Sequence, residues 1–422
     1  MRVAVIGAGI SGLASAWLLS RTHEVTLFES NDHLGGHTHT HEIDLRGRRY
    51  AVDTGFIVFS PRHYPLFTQL LRELGVASQP TTMSFAVHNE ATGLEYNATR
   101  LDTLFCQRRN LLSPRFLGMV RDLLRFYREA PALLDGEDPG PTLGDHLAEH
   151  GYGAAFRDDH LVPMASALWS SPPTRILEFP ARYLVRFMHN HQMLDLTGRP
   201  EWRVVRGGSA SYVRALRERW RVRERPRCAV RSLRRDAGGV LVHHAQGHER
   251  FDHAVLACHA DQALALLADA SDAERAILGA IRYQPNEAVL HTDPALLPRA
   301  RKAWAAWNAF VPREPGAPCT VSYCMNLLQR LDAPVPLVVT LNRRAAIDPR
   351  TILRTAVYQH PVYTQTAVAA QRRRAEIQGV NRTWYAGAYW RWGFHEDGMR
   401  SAVDVAHALG ARPAERGVTA AA

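Results

Sequence analysis

The stretch that most constrains this chain is its first, Met1 to Glu29. Arg2–Ile6 has the apolar composition of a short buried strand. It runs into Gly7-Ala8-Gly9-Ile10-Ser11-Gly12, then a helix expected from about Leu13 to Ser20, then a second strand, Glu24–Phe28, ending on Glu29. This order is a dinucleotide-binding fingerprint. Gly7 permits the tight turn, Gly9 lets the backbone approach a pyrophosphate, and Gly12 lets the helix pack against the strand. The helix start at Ile10 and Ser11 offers free amides and a positive dipole end to phosphates. Glu29 stands where a carboxylate accepts both ribose hydroxyls. The expected fold class is therefore α/β, with a Rossmann-type nucleotide domain.

The length of 422 residues supports a large core and two domains. No apolar run reaches the roughly 18 residues of a membrane-spanning helix. The first strand starts at Arg2, which leaves no room for a leader, so a cytoplasmic location is expected. The five cysteines show no CxxC spacing, which argues against a disulfide frame or a zinc site. His37, His39 and His41 alternate and would share one face of a strand. They read as cofactor-facing and strand-edge residues, and no metal is expected. Net charge is +10, nearly all from arginine, with Lys302 as the single lysine. That excess reads either as codon usage or as attraction to an anionic surface such as a phospholipid membrane. No nucleic-acid motif accompanies it.

Three further stretches carry a resemblance. Ser30 to Thr38 contains Gly35-Gly36-His37-Thr38. Asp53-Thr54-Gly55-Phe56 follows. Near the C-terminus, Thr383 to Tyr389, including Ala386-Gly387, precedes Gly393-Phe394-His395-Glu396-Asp397-Gly398-Met399 and a helix expected over Arg400–Leu409. Together with the fingerprint, these resemble the FAD family that contains monoamine oxidases, protoporphyrinogen oxidases and phytoene desaturases. The resemblance implies FAD as cofactor, held by Gly7, Gly9, Ile10, Ser11, Gly12, Glu29, Ser30, Gly35, Gly36, His37, Thr38, Asp53, Thr54, Gly55, Phe56, Val230, Gly387, Asp397, Gly398 and Met399. Val230 would end a short strand and hold the adenine through its backbone. Asp397 and Gly398 would present amides to the flavin. His37 replaces the family's usual arginine, so charge neutralisation at the pyrophosphate is weaker or pH-dependent. His395 and Glu396 are the candidate catalytic bases, and both also suit a helix cap.

The same resemblance implies an interleaved α+β substrate domain. The expected division is 1–56, 205–265 and 380–410 for FAD, 57–204 and 266–379 for substrate, and a flexible tail over 411–422. Helices are expected over Tyr64–Leu74, Leu111–Leu134, Phe179–Leu194 and Ala210–Arg219, with a turn at Ala167–Pro173. The arginine-laced segment 111–134 reads as a membrane-surface helix or as a cap helix. Trp169, Phe179, Phe187, Met188, Met193, Trp304 and Trp307 offer bulky apolar surface for core or cavity. In amine oxidases of this family a lysine stands in the strand comparable to Tyr283–His291. Here that strand has none, which argues against amine oxidation. Gly-Gly-His-Thr, Val52–Val58, Asn190-His191 and Gly393–Gly398 resemble a bacterial branch encoded beside cyclopropane-fatty-acyl-phospholipid synthases. That association implies dehydrogenation of a methylated or cyclopropane acyl chain by hydride transfer to flavin N5, with the synthase-like methyltransferase as a partner. A flavin amine oxidase, and a lipid-binding flavoprotein without net oxidation, stay open beside it.

Overall fold

The computed structural model describes residues 1–135, 140–169, 173–195, 198, 200–314 and 317–411. β1 (Arg2–Ile6) is the middle strand of a five-stranded sheet. β2 (Glu24–Phe28) and then β3 (Val222–Arg225) lie on one side of it, and β4 (His253–Leu256) and β5 (Thr383–Tyr385) on the other. Every pairing is parallel, so both faces must be covered by crossovers. The two-residue period of β1 sorts its side chains accordingly. Val3 and Val5 enter one core layer with Leu13 and Ala16, whereas Ala4 and Ile6 enter the other with Val240 and Phe251. β4 is an interior strand here, apart from a small separate sheet. That small sheet is an antiparallel meander of 230–236, 239–244 and 247–251, and Val230 opens its first strand instead of ending one.

α1 (Ile10–Leu19) fills the crossover between β1 and β2. α2 (Pro65–Leu74) buries Phe67, Leu70, Leu71 and Leu74, an i, i+3, i+4, i+7 stripe. Pro65 occupies its first turn, and Gly75 closes it at φ 67°. The expected helix over 111–134 is broken. Ser113 accepts the Phe116 amide at 3.3 Å with Pro114 behind it, so α3 begins only there and runs Pro114–Glu129. Single 3₁₀ segments flank it. α4 covers Ala181–Asn190, shorter than expected because Pro180 cannot sit inside a helix. The expected turn at 167–173 begins inside a helix, Val162–Trp169. Ser170, Ser171 and Pro172 lie outside the described residues, as does the tail beyond Ala411. Ala411 itself is buried. α5 (His395–Ala408) starts five residues earlier than expected, because Asp397 accepts the Phe394 amide at 3.0 Å and caps the turn.

A seven-stranded sheet forms the other layer, in the order 352–361, 283–291, 338–341, 320–324, 307–311, 85–89 and 94–97. Packing crosses the expected domain boundaries. Phe59, Tyr64 and α2 belong to the core that also holds α1 and α5. Ile277, Leu278, Ala367 and Ile377 pack beneath the opposite face of the parallel sheet.

Candidate flavin and substrate site

The cradle is the turn between β1 and α1. The first helical bond of α1 runs from the Leu13 amide to Gly9 O at 2.9 Å. The amides of Ile10, Ser11 and Gly12 are thus left without acceptors among the described residues, and no acidic side chain occupies the first turn. That is a positive helix end awaiting an anion. A Cβ on Gly12 would sit 1.8 Å from Gly7 O, so only glycine lets α1 pack here. A Cβ on Gly9 would meet nothing within 4 Å, so the turn is open on that side.

The segment after β2 closes the cradle. The Gly35 amide donates to Ala8 O at 2.8 Å, and a Cβ on Gly36 (φ +57°) would come within 2.9 Å of Gly9 Cα. Glu29 is 7% exposed. Its Oε2 accepts the Ala8 amide at 2.9 Å, while Oε1 accepts the Asn31 amide and Asn31 Nδ2, both at 2.8 Å, and the exposed Ser30 hydroxyl at 3.1 Å. Oε1 is saturated, so Glu29 has capacity for one ribose hydroxyl, not both. The Cys228 amide donates to Glu29 O and the Arg227 amide to Asn31 O, which brings Val230 to this end.

Asp53 departs from the expected role. Its carboxylate accepts the Ser209 amide and hydroxyl (2.9 and 2.8 Å), Thr40 Oγ1 (2.5 Å) and Gln329 Nε2 (2.9 Å). Burial raises it to about 6 against these bonds. It is an internal anchor, and Thr40, Ser209 and Gln329 are partners that the sequence reading missed. Only Gly207-Gly208-Ser209 carried a signal for one of them. Thr38 and Thr54 are likewise engaged, with the hydroxyls of Tyr212 and Tyr358, each at 2.6 Å. Gly55 passes so close to His37 that a Cβ would sit 2.1 Å from His37 O.

The three spaced histidines do not share one face. The strand starts at Thr40, and His39 stacks on His33 (4.4 Å) and lies tilted against His41 (4.1 Å). His37 turns instead toward Tyr358, His360 and His259, at 5.1, 5.4 and 6.0 Å. Burial and the neighbouring His259 hold His37 down at about 4. It is neutral at pH 7, and its Nε2 is buried without a protein partner. Among the described residues no cluster of His, Cys, Asp or Glu has the arrangement of a metal site.

At the start of α5, the Asp397 and Gly398 amides both donate to Phe394 O. The amides left without acceptors among the described residues belong to His395 and Glu396, which corrects the expected pair. Glu396 is no free base either. Its two oxygens accept the Leu66 and Phe67 amides at 2.9 and 3.0 Å and cap α2, although burial raises it to about 7. His395 stacks on Phe56 at 3.6 Å, and its Nε2 lies 3.0 Å from Tyr212 Oη. Burial pushes it well below the usual histidine range. Gly398 serves packing: a Cβ there would meet Ile10 and Ser11 of α1 at 2.7 and 2.8 Å. Met399 is buried in the same core, and Gly387 makes room for the Tyr389 ring.

Beside α5 stands a wall of rings. Phe187 stacks on Phe394 at 4.9 Å, Tyr183 on Tyr363 at 5.4 Å, and His191 on His63 at 4.9 Å. Burial holds His191 down at about 4. The strand 283–291 supplies Asn286, 1% exposed, which donates to His360 Nδ1 at 2.9 Å and accepts Asn342 Nδ2 at 2.6 Å. Lys302 is elsewhere, at the surface, paired with Asp102 at 2.7 Å. The expected bulky surface does not form one wall. Phe179, Phe187 and Met188 lie in the helical core, whereas Trp304 and Trp307 pack with the seven-stranded sheet.

The converging helix ends, the open side at Gly9 and the unpartnered His37 Nε2 fit an anionic dinucleotide. The fold and the cradle are those of a protein that binds a flavin dinucleotide. Residues 10–302 match the family model of flavin containing amine oxidoreductases, and the chain belongs to that family. Its cofactor is FAD. It is similar to tryptophan 2-monooxygenase of Pseudomonas savastanoi, at 38% identity over 19% of this chain and 14% of that enzyme. A 4,4'-diapophytoene desaturase (4,4'-diaponeurosporene-forming) of Staphylococcus aureus strain Newman matches at 57% over 15% of this chain and 12% of its own. The matched stretches thus span less than a sixth of either relative. The crystal structure of the CLA-producing fatty acid isomerase from P. acnes shares the fold over 97% of this chain and 98% of that one, with a TM-score of 0.69 and 18% identity. No described helix is long and apolar enough to cross a membrane.

Proposed function

We propose that this protein is an FAD-dependent oxidoreductase that dehydrogenates a hydrophobic substrate, a fatty acyl chain of the methylated or cyclopropane kind. The observation that carries the reading is the character of the wall beside α5: aromatic rings with uncharged imidazoles and no lysine. An acyl chain gains about 0.8 kcal/mol per buried CH₂ in such surroundings and needs no charged anchor. An ammonium group would find no carboxylate free to pair with, since Asp53, Glu396 and Asp397 are each committed to protein donors.

FAD, when bound, accepts the hydrogen and two electrons of a C–H bond. The chain's own part is to hold and exclude. The amides at the start of α1 hold phosphate, and Glu29 Oε2 takes a ribose hydroxyl. The amides of His395 and Glu396 stabilise negative charge facing α5. Neutral His395, bonded to Tyr212, would be the candidate base, working against the burial that disfavours its protonated form. The ring wall keeps water out. O₂ or a carrier would be needed to take up the electrons. A methyltransferase of the cyclopropane-fatty-acid-synthase kind would supply such a substrate, and a lipid-surface location would suit it.

The activities for which the desaturase and the fatty acid isomerase are named support an apolar substrate, whereas tryptophan 2-monooxygenase supports the amine-class alternative. The isomerase also keeps a reading without net oxidation in view. Anaerobic mixing separates the three. Phospholipid with a methylated or cyclopropane chain should bleach the flavin's visible absorbance, and simple amines should not. Rapid bleaching by an amine would replace the acyl reading. Conversion of the lipid without bleaching would assign the isomerase reading.

A further inference from the structure

Nine large apolar residues are exposed among the described residues, and five of them are leucines between 101 and 124. Leu112 is 88% exposed and Leu111 50%, in the turn just before α3. Within α3, Leu117, Arg121, Leu124 and Arg128 stand at i, i+4, i+7 and i+11, one stripe opposite the buried Phe116, Met119 and Phe126. The arginine side chains of that stripe are 77% and 76% exposed. From Arg100 to Glu129 the chain carries seven arginines against three carboxylates, one of them the buried Asp122. A cleft of about 270 Å³ opens beside the turn 108–113, on the side of α3 away from the stripe, with buried Phe116 and Met119 and exposed Arg109 and Arg115 in its lining.

We propose that the turn 108–113 and the outer stripe of α3 are a docking face for an anionic lipid bilayer. Leu111, Leu112 and Leu117 enter the headgroup boundary, and Arg109 meets lipid phosphates together with Arg108, Arg121 and Arg128, which share their exposed guanidiniums with Asp102, Asp122 and Glu129. A protein partner fits less well, because the exposed apolar residues of this face are leucines alone, with none of the aromatic anchors that the cores of protein interfaces favour. Here Leu117 and Leu124 alternate with Arg121 and Arg128 along one helix face, and Leu111 and Leu112 follow Arg108 and Arg109, the pattern of an interfacial segment whose apolar side chains sink while its cations stay at the phosphates. The opposite stripe of α3 packs in the core that also holds Tyr183, Phe187 and Tyr363, so the docked face backs onto the ring wall. The docking face stands apart from the substrate assignment, since an enzyme acting on amines could carry it as well.

The test is cosedimentation of the flavin-loaded protein with vesicles of phosphatidylglycerol and phosphatidylethanolamine, or of phosphatidylcholine alone. The wild type should pellet with the first and not the second, and high salt should weaken binding. Leu111→Ser/Leu112→Ser and Arg121→Glu/Arg128→Glu should each lower partitioning on the order of tenfold or more. Arg234→Glu/Arg350→Glu, the same charge change elsewhere, should have a much smaller effect. Unchanged flavin absorbance and melting temperature would show that the variants fold. Equal binding to neutral vesicles, or wild-type binding by both double variants, would overturn the proposal. So would light scattering that gives a dimer which Leu112→Ser splits, since the face would then belong to a second copy.

Discussion

The turn after β1 and the ring wall beside α5 are built by different routes. The turn is a local object. Its parts lie within the first 36 residues, and backbone bonds hold it, Gly7 N to Phe28 O and Gly35 N to Ala8 O. The wall takes residues 63, 183–191, 363 and 392–394 from separate elements and meets through side chains. A site made of backbone keeps its geometry while side chains vary, so one cradle can serve many chemistries. A site made of side chains changes with each substitution, and it is here that a substrate is chosen.

The sharpest way to break this contrast is at Gly12. Gly12→Val would drive a side chain into Gly7 O, at a cost of about 4 kcal/mol or more. We expect little soluble yellow protein. A variant that retained FAD and melted like wild type would show that the cradle is not fixed by backbone packing.

Next comes Asp53, which joins the hairpin 40–53 to Ser209 and Gln329. Asp53→Ala should cost about 3 kcal/mol, because it strands several buried donors. Urea unfolding measures this, and Asp53→Asn should lose less. A loss below about 1 kcal/mol would mean water replaces the carboxylate.

Acidification should act mainly through the wall and the histidines around His37. His37, His39, His191, His259 and His291 are held down at about 4 and His360 at about 3, chiefly by burial. Their folded pKa values are depressed, so the unfolded chain takes up protons first. Their stabilising contribution is full above about 6.5 and is lost as pH falls toward 4. Asp53 and Asp397, raised to about 6, and Glu396, raised to about 7, act in the opposite sense. They bind protons first in the folded state and gain stability as pH falls from about 7 to 4. The histidines outnumber them, so the melting temperature should fall over that window. His360→Asn should flatten the slope. A melting temperature that rises on acidification would reverse the assignment.

The smallest effect is expected at Lys302. Lys302→Met removes an exposed ion pair and should change stability by no more than about 0.5 kcal/mol. Flavin reduction by the substrate should be unchanged. A large loss of flavin reduction would return the lysine to the site and break the contrast from the wall's side.

The sequence by itself determined the parallel α/β sheet, the strand–turn–helix over Arg2–Leu19, the flavin class and the missing lysine of Tyr283–His291. The first two follow from periodicity and glycine spacing, which are properties of neighbours along the chain, and the last two from the resemblance of its motifs to those of a known family. Only the tertiary structure decided where side chains at long range spend their hydrogen bonds. Asp53 reads as a cofactor residue until Ser209 and Gln329 reach it across more than 150 positions. Glu396 reads as a base until its oxygens meet the amides of α2. His37, His39 and His41 read as one face until the strand starts at Thr40 and turns His37 toward His360. A carboxylate or an imidazole carries the same chemistry wherever it stands, and what it does is set by which donors, acceptors and water the fold leaves beside it.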